Sequence, residues 1–365
     1  MSSPSAFIFH PVYEDRGLSP FPSVWQRYRL TRELIEQTGI VPSYGVVEKP
    51  PLADVEDLLR VHDEAYVSFV REMSVKGTGY LDYGDTPAFP GVFERARASV
   101  GGSLWGARLV AEGKYLHAFN PGGGLHHARR DSAGGFCVFN DIAVAVDLLR
   151  REYSFERIAI VDFDGHHADG TQEYFYKERI LTVSLHRFDP FFYPGTGDVS
   201  EVGEGEGYGY TVNVPLPART SGDLYLKAFD EVVPSLLAWY RPEILLVQFG
   251  ADGHFRDPLV RLYLTTWTYQ ALAERVHDLA HRHCGGRLLL FGGGGYSPET
   301  VARCWTVIFA AVSGALEGEV GEKVRNLHDA DMRNPSQDLT ERIDKTVERL
   351  KRTLNEIHGE IYEGG

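Results

Sequence analysis

Residues 158–170 read Ile-Ala-Ile-Val-Asp-Phe-Asp-Gly-His-His-Ala-Asp-Gly, an apolar run that ends in acidic and imidazole side chains. An unbroken apolar run bounded by glycine is typical of a central strand of a parallel sheet, which is covered on both faces. Charged groups at the buried end of such a strand are unfavourable unless they are paired or bind a metal. If the chain stays extended there, Asp162, Asp164 and His166 share one face. The stretch therefore favours a metal site over the alternative, a solvated surface loop.

The bulk composition is that of a globular protein. The 365 residues, 43% of them apolar and 24% charged, suffice for one large α/β domain. The formal charge of -14 argues against direct nucleic-acid binding and does not favour an anionic membrane. Three cysteines without a Cys-x-x-Cys pair indicate a reducing compartment, and no stretch approaches the roughly 20 apolar residues of a membrane span. We expect a cytoplasmic protein whose cysteines are core residues.

Short apolar strands alternate with amphipathic helices along the chain. This alternation predicts a single α/β domain over residues 1–365, with a central, mostly parallel sheet flanked by helices. The predicted strands cover 7–9, 115–119, 157–162, 180–186, 243–250 and 287–291. The predicted helices cover 23–37, 55–59, 63–73, 92–111, 140–151, 223–239, 265–281 and 298–315.

Chemically useful side chains follow five of these strands. In an open parallel sheet, ligands bind outside the carboxyl ends of the strands. Acids, imidazoles and a phenol stand at those ends, namely His126 and His127, the cluster from Asp162 to Asp169, His186, Asp252 and Tyr296. Reactive side chains after five separate strands argue against a chance arrangement of loops. We predict that the active site lies at this edge of the sheet.

Asp164, His166 and Asp252 together offer one nitrogen and two oxygen donors. Such a set leaves open positions for water and substrate, as a catalytic metal requires. Zinc is the favoured ion, and iron(II), cobalt and manganese are alternatives because the ligands are mostly hard oxygen donors. The metal's existence is thus predicted more firmly than its identity.

The adjacent residues His126 and His127 are predicted to act in acid–base chemistry. Neighbouring side chains are expected to diverge, so the two rings are poor joint ligands for one ion. Each imidazole needs an orienting carboxylate, and Asp162 and Asp169 are the spare acids of the cluster. Tyr296 follows a run of four glycines that lacks a phosphate-binding pattern, and its hydroxyl suits stabilisation of an oxyanion.

Several ordered motifs carry a family resemblance. They read Pro-Gly-Gly-Gly-Leu-His-His-Ala, Gly-Phe-Cys-Val-Phe-Asn-Asp, Val-Asp-Phe-Asp-Gly-His-His-Ala-Asp-Gly, Ser-Leu-His, Pro-Gly-Thr-Gly-Asp, Gly-Ala-Asp and Gly-Gly-Gly-Gly-Tyr. Together they resemble the zinc-dependent histone deacetylase superfamily, most closely its bacterial acetoin-utilisation-type members, over about 7–314. The resemblance implies an arginase-like fold, one zinc ion, and hydrolysis of N-acetylated protein lysines to amine and acetate.

The resemblance also implies roles for individual residues. It makes Asp164, His166 and Asp252 the zinc ligands, pairs His126 with Asp162 and His127 with Asp169, and gives Tyr296 the task of polarising the amide carbonyl. The implied substrate contacts are Asp85 at the rim, the Gly135 backbone, Phe136, Tyr193 and Leu259. A structural potassium ion is implied at Asp162, Asp164, His166, Ser184 and Leu185, mostly through backbone carbonyls.

The chain departs from the family pattern at three points. Arg27 resembles an arginine near an internal acetate exit, but the usual His-Pro before it is absent, which leaves the exit channel an open question. Tyr193 stands where phenylalanine is common, and Gly84 precedes Asp85 where a larger residue is frequent. Substrate fit is therefore expected to differ from that of other members.

Three other functions are alternatives to deacetylation of protein lysines. A two-metal ureohydrolase would need acids where Ala168 and His254 stand, and a non-catalytic reader of acylated ligands should lack a metal ligand or the phenol. A deacetylase of small acetylated amines or polyamines stays open, because the acidic protein suits either cationic substrate.

The C-terminal segment, residues 338–365, is predicted to be an amphipathic helix. Its apolar residues alternate four and three apart, at Ile343, Val347, Leu350, Leu354, Ile357 and Ile361. Packing on its own domain is slightly favoured because the stripe is short. A dimer interface, and hence a homo-oligomer, is the alternative.

Overall fold

An eight-stranded sheet forms the centre of the computed structural model, which describes residues 4–19, 21–189, 191–330 and 337–362. Every strand pairing within these residues is parallel, in the order β2-β1-β3-β8-β7-β4-β5-β6. The strands are β1 Ser5–Ile8, β2 Gly45–Glu48, β3 His117–Asn120, β4 Ile158–Asp162, β5 Leu181–Arg187, β6 Thr211–Leu216, β7 Ile244–Gln248 and β8 Leu288–Phe291. The predicted α/β fold is confirmed.

Twelve helices lie in the described part of the chain. They are α1 Pro22–Thr38, α2 Ile40–Ser43, α3 Val55–Leu58, α4 Glu64–Lys76, α5 Val92–Ala111, α6 Asp141–Tyr153, α7 Asp169–Phe175, α8 Gly222–Tyr240, α9 Thr266–His283, α10 Pro298–Ser313, α11 Gly318–Arg325 and α12 Gln337–His358.

Helices cover the sheet on both faces. Alternate strand residues enter two separate apolar cores, so that Val161 of β4 joins one and Ile160 joins the other. The first core lies under α1, α8, α9, α10 and α12, and the second lies mainly under α4, α5 and α6. Because both faces are buried, the charged side chains of the chain concentrate at the strand ends and on the outer helix faces.

The five strands that precede the predicted site residues are neighbours in the sheet. In spatial order they are β3, β8, β7, β4 and β5. The register aligns Asp162 of β4 with Gln248 of β7 on one side and with Ser184 of β5 on the other. Residues distant in sequence therefore leave the sheet at the same edge.

The sequence did not predict β2, β6, α2, α7 or α11. β2 and β6 are the two outermost strands, each paired with one neighbour. β2 is largely exposed, and the apolar residues of β6 are interrupted by Asn213 and Pro215. Pro215 also has no backbone N–H. An edge strand tolerates proline because an N–H on its outer side would have no neighbouring strand to bond. α7 begins with Asp169 and Gly170, residues more typical of a loop.

Helix α12 packs on its own domain. Ile343, Val347, Leu350 and Leu354 are each at most 2% exposed and belong to the core beneath α8. These four residues of the predicted apolar stripe are thus covered within the chain. Ile357 is half-buried, and Ile361 lies beyond the helix, which ends at His358 and not at the predicted 365. Cys137, Cys284 and Cys304 are free thiols in the interior. Among the described residues, the helices are too short or too polar to cross a lipid bilayer.

Candidate active site and metal centre

Three side chains at the ends of β4 and β7 bring their ligand atoms together. His166 Nδ1 lies 3.2 Å from Asp164 Oδ1 and 2.9 Å from Asp252 Oδ2. One ligand atom of each residue lies within 4.8 Å of the other two. All three side chains are buried. This donor set of one imidazole and two carboxylates fits a single divalent transition metal ion.

The charges of this group favour a cation at its centre. Asp164 and Asp252 are almost completely buried, so each carboxylate loses hydration and repels the other. Burial and the charge of Asp164 raise the pKa of Asp252 to about 7. Burial opposes protonation of His166, but the two carboxylates raise its pKa to about 10. The site stabilises positive charge, which a bound metal ion would supply.

The chain does not stay extended through the metal ligands, contrary to the sequence-based expectation. β4 ends at Asp162, and the backbone then turns in two steps. Asp162 Oδ1 accepts the N–H of Asp164, and Asp164 Oδ1 accepts the N–H of His166, each at 3.0 Å. Aspartate favours such turns because its carboxylate reaches the backbone two residues further on. Asp164 and His166 nevertheless meet.

Glycines allow the backbone to approach the two carboxylates closely. Gly294 donates its N–H to Asp164 Oδ2 at 2.8 Å, and Gly165 donates to Asp252 Oδ1 at 2.7 Å. A Cβ atom at Gly250 would clash with the Asp164 carboxylate, and one at Gly294 would clash with Asp252. A side chain at either position would displace a ligand.

His126 and His127 face each other although they are adjacent in sequence. Their Nε2 atoms are 3.1 Å apart. His126 Nδ1 lies 2.8 Å from Asp162 Oδ2, and His127 Nδ1 lies 2.6 Å from Asp169 Oδ1. The expectation that the two rings diverge is wrong, because the residues lie in a turn and carboxylates from two different elements hold their outer edges. Two His–Asp pairs thus meet at their inner nitrogens.

The two imidazoles carry different charges. Burial would lower the pKa of His126, but Asp162 and Asp164 raise it to about 9. Burial and the neighbouring His126 lower the pKa of His127 to about 4. His127 is therefore the neutral ring, with a lone pair at Nε2 that suits a general base.

Tyr296 follows the glycine run after β8 and lines the same cavity as the histidine pair. Its N–H donates to Asp257 Oδ2 at 2.9 Å, and its ring meets Phe136 edge-on with centroids 5.9 Å apart. Burial and the charge of Asp252 raise the pKa of the Tyr296 hydroxyl well above its ordinary value. The hydroxyl therefore keeps its proton and can donate a hydrogen bond.

Comparison with known proteins agrees with this geometry. A family described as "Histone deacetylase domain" matches residues 21–312, most of the chain. The chain belongs to the histone deacetylase domain family. The resemblance inferred from the motifs is thus confirmed, and the protein is a member of a family of deacetylase hydrolases.

Curated relatives of this histone deacetylase domain include proteins of Bacillus subtilis, Archaeoglobus fulgidus and Staphylococcus aureus. The acetoin utilization protein AcuC of Bacillus subtilis strain 168 is 38% identical over 327 residues, covering 86% of this chain and 83% of its own. The probable deacetylase of Archaeoglobus fulgidus is 39% identical over 301 residues, covering 81% and 82%. The acetoin utilization protein AcuC of Staphylococcus aureus strain MRSA252 is 35% identical over 315 residues, covering 82% and 80%.

In this histone deacetylase domain, two of the five predicted substrate contacts line the cavity to which Tyr296 belongs. Gly135 and Phe136 belong to its lining. The Tyr193 ring meets the His127 ring edge-on at 5.0 Å. Phe136 has a positive φ of 66°, an unusual conformation for a non-glycine residue. This conformation turns the chain at the mouth of the cavity.

Asp85 and Leu259 have more indirect connections to the site. The Thr86 hydroxyl donates to Asp85 Oδ1 at 3.0 Å and accepts the N–H of Phe136 at 3.1 Å, so Asp85 lies on the segment that holds Phe136. Leu259 donates its N–H to Asp257 Oδ1 at 2.9 Å. Leu259 is not among the described residues that line the cavity.

The cavity of the histone deacetylase domain extends inward from the histidine pair. It has a volume of about 180 Å³, and Arg27 and Arg95 line it together with His126 and His127. Arg27 donates from Nη1 to the Gly295 carbonyl at 3.0 Å, and its buried Nε has no hydrogen-bond partner among the described residues. The absent His-Pro before Arg27 therefore does not close this inner space.

The residues predicted to bind potassium lie at the end of β4, in the turn that follows it, and in the middle of the neighbouring β5. Asp162 and Ser184 are aligned across β4 and β5. The Ser184 hydroxyl lies 2.9 Å from His186 Nδ1, and the Leu185 carbonyl accepts the Tyr225 hydroxyl at 2.8 Å. The potassium site stays a prediction.

Three supporting residues were not predicted from the sequence. Gln248 donates from Nε2 to Asp164 Oδ2 at 2.8 Å, and Phe192 stacks on the His166 ring with centroids 5.0 Å apart. Arg129 donates to Asp169 Oδ2 at 3.0 Å. Gln248 could have been predicted, because it is a polar residue at the end of an apolar strand. The contact of Phe192 depends on the fold of a long loop and has no local signal.

Proposed function

We propose that this protein removes acetyl groups from lysine side chains of proteins, releasing acetate and the free amine. The main support is the arrangement of three groups around one cavity. The neutral imidazole of His127 lies beside the Asp164–His166–Asp252 donor set, and Tyr296 lines the same cavity. Family membership supports the reaction class. We further propose zinc as the metal, with iron(II) as the alternative.

The side chains divide the chemistry among them. A zinc ion held by Asp164, His166 and Asp252 would supply Lewis-acid activation of the acetyl carbonyl and the attacking water. His127 accepts the proton of that water at Nε2, and the Asp169 carboxylate stabilises the imidazolium from Nδ1. The Tyr296 hydroxyl hydrogen-bonds to the acetyl oxygen as negative charge develops on it. The histidine pair then returns a proton to the leaving amine.

The rim favours a protein substrate over a small amine. Tyr83 and Phe191 are fully exposed aromatic residues in the loops that also carry Asp85 and Tyr193. Exposed aromatic rings on the segments that carry two predicted substrate contacts suit a peptide chain, because they offer apolar contact area outside the cavity. Asp85 would accept backbone N–H groups of such a chain.

The inner cavity suits the acetate product. The Arg27 guanidinium is positively charged, and its free Nε–H matches a carboxylate oxygen. We propose that acetate passes this residue on leaving. In Arg27→Met, the inhibition constant for added acetate should rise about tenfold while zinc content stays unchanged. An unchanged inhibition constant would argue against this route.

The substrate proposal is tested by turnover of two matched substrate classes. Zinc-loaded protein is assayed with acetyl-lysine peptides and with N-acetylated polyamines. We expect kcat/KM to be at least about tenfold higher for the peptides. A preference for polyamines would replace the protein-lysine proposal, and no hydrolysis of either class would overturn the deacetylase proposal itself.

A further inference from the structure

Three histidines form a second cluster away from the active site. His117 is the first residue of β3, whereas His277 and His281 lie one turn apart near the end of α9. The Nε2 atoms of His117 and His281 are 3.1 Å apart, and one ring nitrogen of each residue lies within 4.8 Å of the other two. We propose that this His117–His277–His281 cluster binds a divalent transition metal ion.

The cluster is separate from the deacetylase centre. All strands of the sheet run parallel, and the active-site residues follow the carboxyl ends of the strands. His117 stands at the amino end of β3, so it lies at the opposite edge of the sheet. The cluster shares no residue with the Asp164–His166–Asp252 group.

The spacing of the nitrogens suits a metal ion. Residues four apart on a helix occupy the same face, which brings His277 and His281 together. Zinc–nitrogen bonds of about 2.1 Å in a tetrahedral arrangement separate two ligand nitrogens by about 3.4 Å. The 3.1 Å between His117 and His281 is close to this value. A small rotation of the half-buried His277 side chain would bring in the third nitrogen.

The hydrogen bonds of His117 leave the required lone pair inside the cluster. Its Nδ1 lies 3.3 Å from the Ser5 hydroxyl, which donates its own hydrogen to the Val312 carbonyl at 3.4 Å. Because that hydroxyl has one hydrogen, it accepts from His117 Nδ1–H. Nε2 then carries the lone pair toward His281. A second hydrogen bond that fixes the tautomer in this way is typical of metal-bound histidines.

A ring-packing cluster without a metal is the simpler alternative. The three rings meet edge to face, with centroids 4.6 to 5.2 Å apart. In that state His281 donates to His117, but among the described residues neither ring nitrogen of His277 has a hydrogen-bond partner. A metal ion would bind one nitrogen of each ring, so that His277 would also have a polar partner.

The exposure of the cluster gives an ion access from solvent, and its three imidazoles determine which ions bind. His117 is buried, His277 is half-buried and His281 is exposed, so an ion can enter from solvent and keep a water ligand. Three imidazoles select Zn²⁺, Co²⁺, Ni²⁺ or Cu²⁺ rather than Mg²⁺ or Ca²⁺, which require oxygen donors. Such an ion would tie the amino end of β3 to the end of α9.

The test counts metal ions in the full-length, tag-free protein. After dialysis against Zn²⁺, Asp252→Asn should retain one zinc per chain by elemental analysis, and the Asp252→Asn/His281→Gln and Asp252→Asn/His277→Gln proteins should retain none. His283→Gln in the same background is the matched control, because His283 lies on the same helix end outside the cluster, and it should keep the ion.

A second measurement distinguishes lost binding from lost folding. Added Zn²⁺ should raise the Tm of Asp252→Asn but leave the Tm of Asp252→Asn/His281→Gln unchanged, while both proteins unfold cooperatively. No zinc in Asp252→Asn, or zinc that persists in both histidine variants, would overturn the proposal. Neither result depends on deacetylase activity, so failure of the proposed function would be recognised separately.

Discussion

His126 and His127 approach within 3.1 Å at Nε2 while their Nδ1 atoms contact carboxylates from separate elements. Asp162 ends β4 and Asp169 begins α7. The pKa of His126 rises to about 9 and that of His127 falls to about 4, so one of the two adjacent imidazoles is cationic and the other is neutral. Separation of pKa values in this way is how one site provides both an acid and a base.

Tyr296→Phe should abolish most turnover without unfolding the protein. Its hydroxyl strengthens its hydrogen bond as the acetyl oxygen gains charge, and loss of one such donor costs about 10²- to 10³-fold in kcat. Zinc content and affinity for acetylated ligands should remain near wild type. Steady-state kinetics and ligand titration check this. If the wild type hydrolyses no acetylated amine and the variant only weakens binding, the protein is a reader rather than an enzyme.

Asp252→Asn should lower active-site metal content and activity together. A neutral amide replaces an anionic ligand in a buried site, so the remaining donors hold a divalent cation less well. Elemental analysis should give one zinc fewer per chain than in the wild type. Asp230→Asn, at an ion pair between α8 and α9, is the control and should change neither quantity. Two ions located around Asp164 and Ala168 would instead favour a two-metal ureohydrolase.

Asp85→Ala should raise KM for acetylated peptides several-fold and leave zinc content unchanged. Asp85 lies on the rim segment that Thr86 links to Phe136, and loss of an acceptor for peptide N–H groups weakens substrate binding. Acetylated amines without a peptide backbone should be unaffected, which makes them the internal control. Equal kinetics on all substrates would make Asp85 a turn residue only.

The buried, neutral His62 should make the free energy of unfolding fall as the pH is lowered into the mildly acidic range. Burial lowers its pKa to about 4, and its Nε2 accepts the Asn140 N–H at 3.0 Å. An unfolded histidine has a pKa near 6.5, so between pH 6.5 and 4 the unfolded state binds more protons. The stabilisation is present above pH 6.5 and is lost at about 1.4 kcal/mol per pH unit below it.

His62→Gln should therefore show a shallower decline of the free energy of unfolding between pH 7 and 5, measured by urea denaturation. His283→Gln, at a far less buried histidine, should keep the steeper wild-type decline. Parallel declines in wild type and His62→Gln would contradict the assignment.

Leu354→Ala should destabilise the protein by about 2 to 5 kcal/mol, because it leaves a cavity in the core beneath α8. Glu356→Ala on the exposed face of α12 is the matched control and should cost little. Urea denaturation measures both, and light scattering should give the same mass for each. A change in mass with unchanged stability would favour an interface between copies.

Local patterns were sufficient for most of the fold. The helix at Val92–Ala111 was predicted at its observed bounds, since its long apolar stripe and flanking glycine are signals within one segment. The edge strands β2 and β6 were missed because their stability comes from pairing with β1 and β5, which no local pattern records. Helix α12 was predicted, but whether its stripe faced the domain or a second copy was settled only by its packing on α8.

The sequence by itself determined which donor groups stand at the strand ends, because apolar runs, glycines and the acids after them are adjacent in the chain. The tertiary structure decided how those groups meet. Asp252 joins Asp164 because β7 pairs with β4, and the two histidine rings converge because Asp162 and Asp169 hold them from different elements. For the His117–His277–His281 cluster, the sequence places His277 and His281 four apart on a predicted helix, but their meeting with His117 depends on where α9 ends against β3. Contacts between distant segments are fixed by packing, and only the folded chain contains that information.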